Sequence, residues 1–289
     1  MNGHYLAGYL SYEAGYPFVD LDAPESHSSP VAWFGVYDAP RRLAPPDVER
    51  GLGRLAPELT VGPPELSVSK AAYTEAIEQV RGHIQDGDVY QINYTAPVHF
   101  RMDGDPRVLY RRLRRQQHVA YGAYLNLDDR QVLSLSPELF FRQTGDRVVT
   151  RPMKGTIRRG RTLEEDRALR RELTSDPKNR AENLMIVDLL RNDLSVCCEQ
   201  GSVNVPSLYS AETYDTVTQM TSTVDGTLRS DQSTSDVLRA LFPCGSVTGA
   251  PKRRAMQLIR SLEHGPRGVY CGAIGMMGPD DTAVFNVPI

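Results

Sequence analysis

Cysteine, tryptophan and long hydrophobic runs are scarce in this sequence, and each scarcity excludes a class of protein. The 289 residues include four cysteines and one tryptophan. Because no cysteine pair has C-x-x-C spacing, we expect neither a zinc site nor a disulfide framework, and the thiols should be reduced. No apolar stretch approaches the roughly 20 residues that span a bilayer, and the N-terminus lacks a basic region followed by an apolar core. These features predict a cytoplasmic protein without a membrane segment.

A basic excess is missing as well. Lysine and arginine number 33 against 36 aspartates and glutamates, which gives a net charge of -3. Since nucleic acid is bound through cationic surface, neither nucleic acid nor a membrane is an expected partner. What the chain does contain is apolar material, because 40% of its residues are hydrophobic and 24% are charged. This composition predicts a folded interior.

The order of predicted elements indicates an α+β fold. Residues 5–12 and 31–37 are short and β-prone, and a further strand is expected at 89–95. Residues 119–150 predict a meander of four strands broken by turns. Predicted helices are grouped apart from these strands, at 69–87, 162–173, 179–194 and from Pro251. Grouped strands and helices favour α+β over an alternating parallel sheet. We expect one unit over 66–289, preceded by an N-terminal portion, 1–65.

Lys154 is a candidate nucleophile. It lies in Arg151-Pro-Met-Lys-Gly-Thr-Ile157, where the proline should end a strand and the glycine should allow a tight turn. A free lysine is neutral in only about one molecule in 2,500 at pH 7, so nucleophilic attack requires a lowered pKa. Without such a shift, Lys154 would be an ordinary solvated loop residue.

Two acidic residues are candidates for other roles. Glu138 follows Ser136-Pro137 after an apolar strand, where partial dehydration would let its carboxyl group donate a proton; the alternative is an exposed turn glutamate. Glu182 opens a helix whose same side carries Asp193, and carboxylates at such positions suit Mg²⁺. The alternative for Glu182 is a favourable interaction with the helix dipole.

Two glycine-containing segments are further candidates for the functional site. Gly245-Ser-Val-Thr-Gly-Ala-Pro251 runs into a predicted helix, so its free N–H groups and the hydroxyls of Ser246 and Thr248 could bind a carboxylate. A plain helix start is the alternative. Residues 270–275 predict a buried strand with glycines that permit close approach, and core packing explains that segment equally well.

The order and spacing of these motifs resemble the chorismate-utilising enzymes, which include anthranilate synthase, aminodeoxychorismate synthase, isochorismate synthase and salicylate synthase. The motifs that carry the resemblance are Gly8-Tyr-Leu-Ser-Tyr-Glu-Ala-Gly15, Tyr90-Gln-Ile-Asn93, Ser136-Pro-Glu138, Pro152-Met-Lys-Gly-Thr156, residues 180–193, Gly245-Ser-Val-Thr-Gly-Ala-Pro-Lys252 and Tyr270-Cys-Gly-Ala-Ile-Gly275. The resemblance implies two packed β-sheets with helices outside and a cleft that binds chorismate and Mg²⁺.

Within that family, two positions imply the aminodeoxychorismate synthase branch. Anthranilate synthases carry alanine where Lys154 stands, whereas the isochorismate and salicylate branches carry a lysine base where Gln91 stands. The resemblance implies that Lys154 attacks C2 of chorismate while Glu138 protonates the departing C4 hydroxyl. Ammonia from a separate glutamine amidotransferase subunit would then enter at C4. Anthranilate synthase component I and a non-catalytic scaffold are the alternatives.

The resemblance also assigns the remaining site residues. It implies that Glu182 is a Mg²⁺ ligand, that Gly155 and Thr156 face the substrate, and that Ser246 and Tyr270 contact its carboxylate-bearing parts. Gln219 replaces a histidine found in other members. The family normally continues beyond Phe285-Asn-Val-Pro-Ile289 with an arginine and a second Mg²⁺ glutamate. The chain as given is therefore expected to lack part of the site and to turn over little chorismate.

Overall fold

The computed structural model describes residues 3–22, 30–53 and 58–289. The helices are α1 (Pro45–Gly53), α2 (Lys70–Gln85), α3 (Pro106–Gln116), α4 (Leu163–Ser175), α5 (Pro177–Ser195), α6 (Thr234–Leu241) and α7 (Lys252–Leu262), with 3₁₀ turns at Tyr12–Val19 and Gly245–Val247. The strands are β1 (Tyr5–Leu10), β2 (Ala32–Tyr37), β3 (Leu59–Val61), β4 (Glu65–Leu66), β5 (Gln91–Ile92), β6 (Val98–His99), β7 (Met102–Gly104), β8 (Tyr121–Asn126), β9 (Gln131–Ser136), β10 (Leu139–Thr144), β11 (Arg147–Arg151), β12 (Met153–Arg158), β13 (Asn204–Thr213), β14 (Val217–Thr227), β15 (Gly249–Ala250), β16 (Ala273–Met277) and β17 (Thr282–Asn286).

A nine-stranded antiparallel sheet forms the centre of the fold. Its order is β12-β14-β11-β10-β17-β16-β1-β2, and β13 pairs with β14 as well. The long strand β14 pairs with β11 through residues 224–227 and with β12 through residues 217–221. Pro152 separates β11 from β12, since proline cannot donate a ladder hydrogen bond. The two short strands therefore follow one another along the same edge of β14.

Helix α5 packs its apolar side on this sheet. Ile186, Leu190 and Leu194 recur at four-residue spacing and are buried in one cluster with Phe140 and Val224. Burial stabilises each such side chain by about 1.5–3 kcal/mol. The helix begins after Asp176, whose carboxylate accepts a hydrogen bond from Asn179 N at 2.7 Å. The cap and the apolar stripe together determine where the first turn of α5 lies.

A second, two-stranded sheet packs on the first. The β8–β9 hairpin contributes Leu127 to a cluster with Tyr9 and Ile274 of the main sheet, and Asn286 Nδ2 donates to Tyr121 O at 2.6 Å. The predicted pair of packed sheets thus consists of the nine-stranded sheet and this hairpin, and the α+β class is confirmed. Within the described ranges, no helix is both long and apolar enough to cross a bilayer.

The boundaries of the predicted helices and strands agree with the structure in some places and differ in others. The helix expected from Ser69 is confirmed as α2, with Ser69 Oγ accepting from Ala72 N at 3.1 Å. The strand expected near 89–95 shortens to Gln91–Ile92, its partner being the two-residue β15. The strand expected from Tyr270 begins only at Ala273, because Cys271 has a φ of 62° and turns the chain. The division of the chain at residue 65 stays a prediction.

Candidate active site

Lys154 lies where β12 bulges. The register between β12 and β14 shifts between Met153 and Thr156, and Gly155 has a φ of +97°. A bulge leaves one residue unpaired and re-aims its side chain, and here it turns Lys154 inward. Burial lowers the pKa of the Lys154 ammonium group, although the carboxylates of Glu138 and Glu182 partly oppose this effect. The lysine thus lies in a dehydrated setting between two acidic groups, unlike a solvated loop residue.

Glu138 immediately precedes β10 and is only 1% exposed. Ser136 Oγ accepts a hydrogen bond from Glu138 N at 3.1 Å and donates to Val287 O at 2.5 Å, which holds the turn in the interior. Burial raises the pKa of the Glu138 carboxyl group to about 7, against the opposing effects of the Ser246 hydroxyl and Lys154. Its Oε1 atom has no hydrogen-bond partner within the described part of the chain. A carboxyl group in this state can hold and release a proton near neutral pH.

The glycine-rich turn before α7 faces the same space. Asn93 Nδ2 donates to Ser246 O at 2.9 Å, and Lys154 Nζ donates to Asn93 Oδ1 at 3.3 Å. Ser246 is buried with its hydroxyl near Glu138. Thr248 is completely buried, and its hydroxyl donates to Cys244 O at 3.2 Å within its own turn. Ser246 therefore faces the acidic group, whereas the Thr248 hydroxyl proton is used to close the turn.

The start of α5 borders the Lys154 bulge. A Cβ atom on Gly155 would come within 3.1 Å of Asn179 Oδ1, a tight contact, and the positive φ of this residue also favours glycine. Thr156 is exposed and pairs with Gln219 across the sheet. Glu182 follows one turn later, and its side chain is 38% exposed, with Lys178 Nζ at 3.9 Å.

A metal ion would find one available carboxylate here. Asp193, which follows on the same side of this helix, forms an ion pair with Lys252 at 2.6 Å and is not free to bind an ion. Among residues 3–22, 30–53 and 58–289, no group of three or more His, Cys, Asp or Glu could enclose a metal. Mg²⁺ usually takes only one or two protein carboxylates and completes its shell with water and substrate oxygens. Glu182 fits that limited role.

Tyr270 is the remaining predicted site residue. It is 48% exposed and lines a cavity of about 740 Å³ whose other walls come from three segments of the chain. These segments are 67–68, 95–99 and 263–267. Arg267 connects this cavity to the lysine site, because its guanidinium donates to Asn93 O at 2.5 Å and to Val247 O at 2.7 Å. Arg267 thus lies between the cavity that Tyr270 lines and the Lys154 site.

Sequence reasoning did not assign roles to three residues of this region. Asn93 contacts Lys154, and a buried ion pair joins Arg267 to Glu263 at 2.7 Å. The only available signal was the position of Asn93 at the end of the Tyr90–Asn93 motif. No local pattern marked the Arg267–Glu263 pair, since an arginine four residues after a glutamate is common on exposed helices.

This chain is similar in sequence to known aminodeoxychorismate synthases. The aminodeoxychorismate synthase of Streptomyces pristinaespiralis is 40% identical over 296 residues, covering 96% of this chain and 41% of that protein. The aminodeoxychorismate synthase component 1 of Klebsiella aerogenes is 41% identical over 211 residues, covering 73% of this chain and 47% of the relative. This chain spans less than half the length of either relative.

A solved structure shares the fold. The crystal structure of anthranilate synthase component I from Streptococcus pneumoniae TIGR4 superposes with a TM-score of 0.85 at 28% identity, over 99% of this chain and 72% of that one. The family described as chorismate binding enzyme matches residues 55–289. Since that match takes in every element from β3 to β17, including Lys154, Glu138 and Glu182, the chain belongs to the chorismate-binding enzyme family.

Proposed function

We propose that this chain is the chorismate-binding part of an aminodeoxychorismate synthase, which converts chorismate and ammonia into 4-amino-4-deoxychorismate for 4-aminobenzoate and folate synthesis. The buried Lys154 beside the protonatable Glu138 is the observation that carries the proposal. Burial favours the neutral form of each group, so the site can present an amine and a carboxylic acid together. The first is a nucleophile and the second a general acid.

The first step uses both groups. The neutral Lys154 amine forms a bond to C2 of chorismate, the two conjugated ring double bonds shift, and the C4–O bond breaks. Glu138 gives its proton to the departing oxygen, which leaves as water. The products of this step are a substituted ammonium at C2 and the Glu138 carboxylate.

The second step restores the enzyme. Ammonia forms a bond at C4, the two ring double bonds shift back, and the Lys154 amine leaves C2. One proton lost from nitrogen returns to Glu138, so chorismate and ammonia yield 4-amino-4-deoxychorismate and water overall. We propose that a glutamine amidotransferase supplies the ammonia, which agrees with the designation "component 1" of the Klebsiella aerogenes relative.

Several residues have supporting roles in this proposal. Glu182 would hold Mg²⁺, which when bound supplies positive charge for a substrate carboxylate. Gly155 and Thr156 would face the substrate, and Ser246, Thr248 and Tyr270 would serve its carboxylate-bearing parts. Ser246 has the strongest support, since it lies buried beside Glu138. Four free, buried thiols suit a reducing compartment, and we place the chain in the cytoplasm.

Anthranilate synthase component I is the second candidate, favoured by the TM-score of 0.85 with that enzyme. The two functions differ in product. Direct attack of ammonia at C2, departure of the C4 hydroxyl group as water and loss of pyruvate would yield 2-aminobenzoate, and that route needs no lysine nucleophile. A buried Lys154 at the centre of the site favours the first candidate.

Product analysis with lysine variants tests the proposal. A chain extended past Ile289 by the segment that the family normally carries would be incubated with chorismate, ammonium and Mg²⁺, and products would be identified by liquid chromatography and mass spectrometry. We expect 4-amino-4-deoxychorismate from the parent and a loss of about a thousandfold or more in Lys154→Ala, as removal of a nucleophile commonly causes. Lys178→Ala, on the exposed side of α5, is the matched control and should retain activity.

Intact-mass measurement provides a second readout that needs no turnover. Without ammonia, the parent should accumulate a covalent adduct of chorismate less one water, and the Lys154→Ala variant should not. Formation of 2-aminobenzoate by the parent, or an adduct that survives loss of Lys154, would contradict the proposal. A chain that neither turns over chorismate nor forms an adduct would indicate a scaffold.

A further inference from the structure

We propose that Asn93 is a positioning residue that holds the Lys154 amine in the orientation needed for attack. The proposal rests on the proposed function, because it assumes that Lys154 is the nucleophile. Lys154 and Asn93 are 61 residues apart in sequence, yet Lys154 Nζ donates to Asn93 Oδ1 at 3.3 Å. This is the hydrogen bond through which the fold can set the direction of the amine.

Both ends of the Asn93 amide are used, and they are not interchangeable. The oxygen accepts from Lys154 Nζ and from Gln91 Nε2, each at 3.3 Å. The NH₂ group donates to Ser246 O at 2.9 Å. A flipped amide would place acceptor against acceptor at the Ser246 carbonyl oxygen. The surrounding groups therefore determine the orientation of the amide.

The backbone of Asn93 is held from two sides as well. Asn93 N donates to Thr248 O at 2.9 Å, and Arg267 Nη2 donates to Asn93 O at 2.5 Å. Arg267 is itself rigid, since its side chain is 2% exposed and its guanidinium binds Glu263 at 2.7 Å. These hydrogen bonds restrict the position of Asn93 and therefore of its Oδ1 atom, as positioning of a reactive group requires.

The neutral charge of Asn93 suits this role. A neutral amine has two N–H bonds and one lone pair, so donating one N–H bond to Asn93 restricts where the lone pair points. An amide oxygen accepts that bond without strongly favouring the ammonium form. An aspartate of the same shape would hold the proton on Lys154, because an opposite charge within hydrogen-bonding distance shifts a pKa by about 1–3 units.

Asn93→Asp tests the inference by changing charge while keeping shape. Lys154 reactivity would be measured by competitive labelling with acetic anhydride at pH 6–11, quantified on the Lys154 peptide by mass spectrometry. We expect the labelling midpoint to rise by about one pH unit or more, which makes Lys154 roughly tenfold less reactive at pH 8. Asn126→Asp, at an exposed position of β8, is the matched control and should leave the midpoint where it is in the parent.

Turnover gives the second readout. In Asn93→Asp the acidic limb of the pH profile of kcat should move to higher pH. In Asn93→Ala kcat should fall about a hundredfold, whereas KM for chorismate should stay within a few fold of the parent value. A change confined to folding would lower the melting temperature without moving the pH profile. Asn93→Ala keeps the test decisive if the aspartate variant does not fold.

The outcomes separate the two proposals. An unchanged labelling midpoint in Asn93→Asp, or a parent-like kcat in Asn93→Ala, would overturn the positioning role while leaving the function standing. A shifted midpoint in a chain that forms neither the aminated product nor the adduct would uphold the contact and overturn the proposed function.

Discussion

Replacement of Glu138 by glutamine should change how stability depends on pH. The carboxyl group titrates near 4.5 when solvated, and burial raises its pKa to about 7 in the folded protein. Between these values the unfolded chain has released the proton and the folded chain keeps it. The folded state then binds more protons, so the free energy of unfolding falls as pH rises through this window.

The size of the effect follows from the two pKa values. At about 1.4 kcal/mol per pH unit, the window from 4.5 to about 7 costs the parent roughly 3 kcal/mol by pH 7.5. Glutamine does not titrate, so Glu138→Gln avoids this loss. We expect the variant to gain about 3 kcal/mol relative to the parent between pH 4.5 and pH 7.5.

Urea denaturation at half-unit pH steps, followed by circular dichroism, measures both curves. Ser136→Ala is the control, because it removes a buried hydroxyl next to Glu138 that does not titrate. Its curve should lie about 1 kcal/mol below the parent and parallel to it. Parallel curves for Glu138→Gln and the parent would refute the assignment of a raised pKa to this group.

Three further substitutions test other parts of the structure. Gly155→Ala should lower the free energy of unfolding by about 1–2 kcal/mol because of the positive φ, and by a further amount because of the close contact with α5. Gly145→Ala also has a positive φ but open space around it, so it should lose only the amount due to φ. Equal losses for the two variants in urea denaturation would exclude a role of the contact. Arg267→Met should cost about 3–5 kcal/mol by leaving the Glu263 carboxylate buried without its partner. The double variant with Glu263→Met should recover part of that loss, and a double variant no more stable than the single one would contradict this reading. Glu182→Gln should raise the Mg²⁺ concentration needed for half-maximal activity about tenfold while changing stability by less than about 0.5 kcal/mol, and an unchanged Mg²⁺ requirement would leave Glu182 as a helix residue only.

Helix boundaries and hairpins were readable from the sequence because their causes are local. Ser69 caps α2 and Thr162 caps α4 through bonds that span three residues. Glu165, however, accepts from Arg161 N instead of completing the capping box expected with Thr162. Such a shift of one residue depends on the path by which the chain enters the helix, which local pattern does not specify.

The family resemblance, and with it the α+β fold, also followed from the sequence, since the motifs keep their order over nearly the whole chain. Motif order reports which residues matter together. It contains no information on burial or distance. For that reason the sequence left Lys154 and Glu138 open between ordinary surface residues and reactive groups.

The tertiary structure decided what these residues can do. Glu138 is deprived of water by residues distant in sequence, and Lys154 meets an asparagine 61 residues away. Arg267 reaches Asn93 across 174 residues, and Tyr270 lies at a separate cavity. A pKa depends on the solvent and charges that surround a group in space. Sequence by itself therefore determined which reactive groups this protein carries and where its helices begin. The protonation and orientation of Lys154 and Glu138 were decided only by the packing of the main sheet, α5 and the glycine-rich turn.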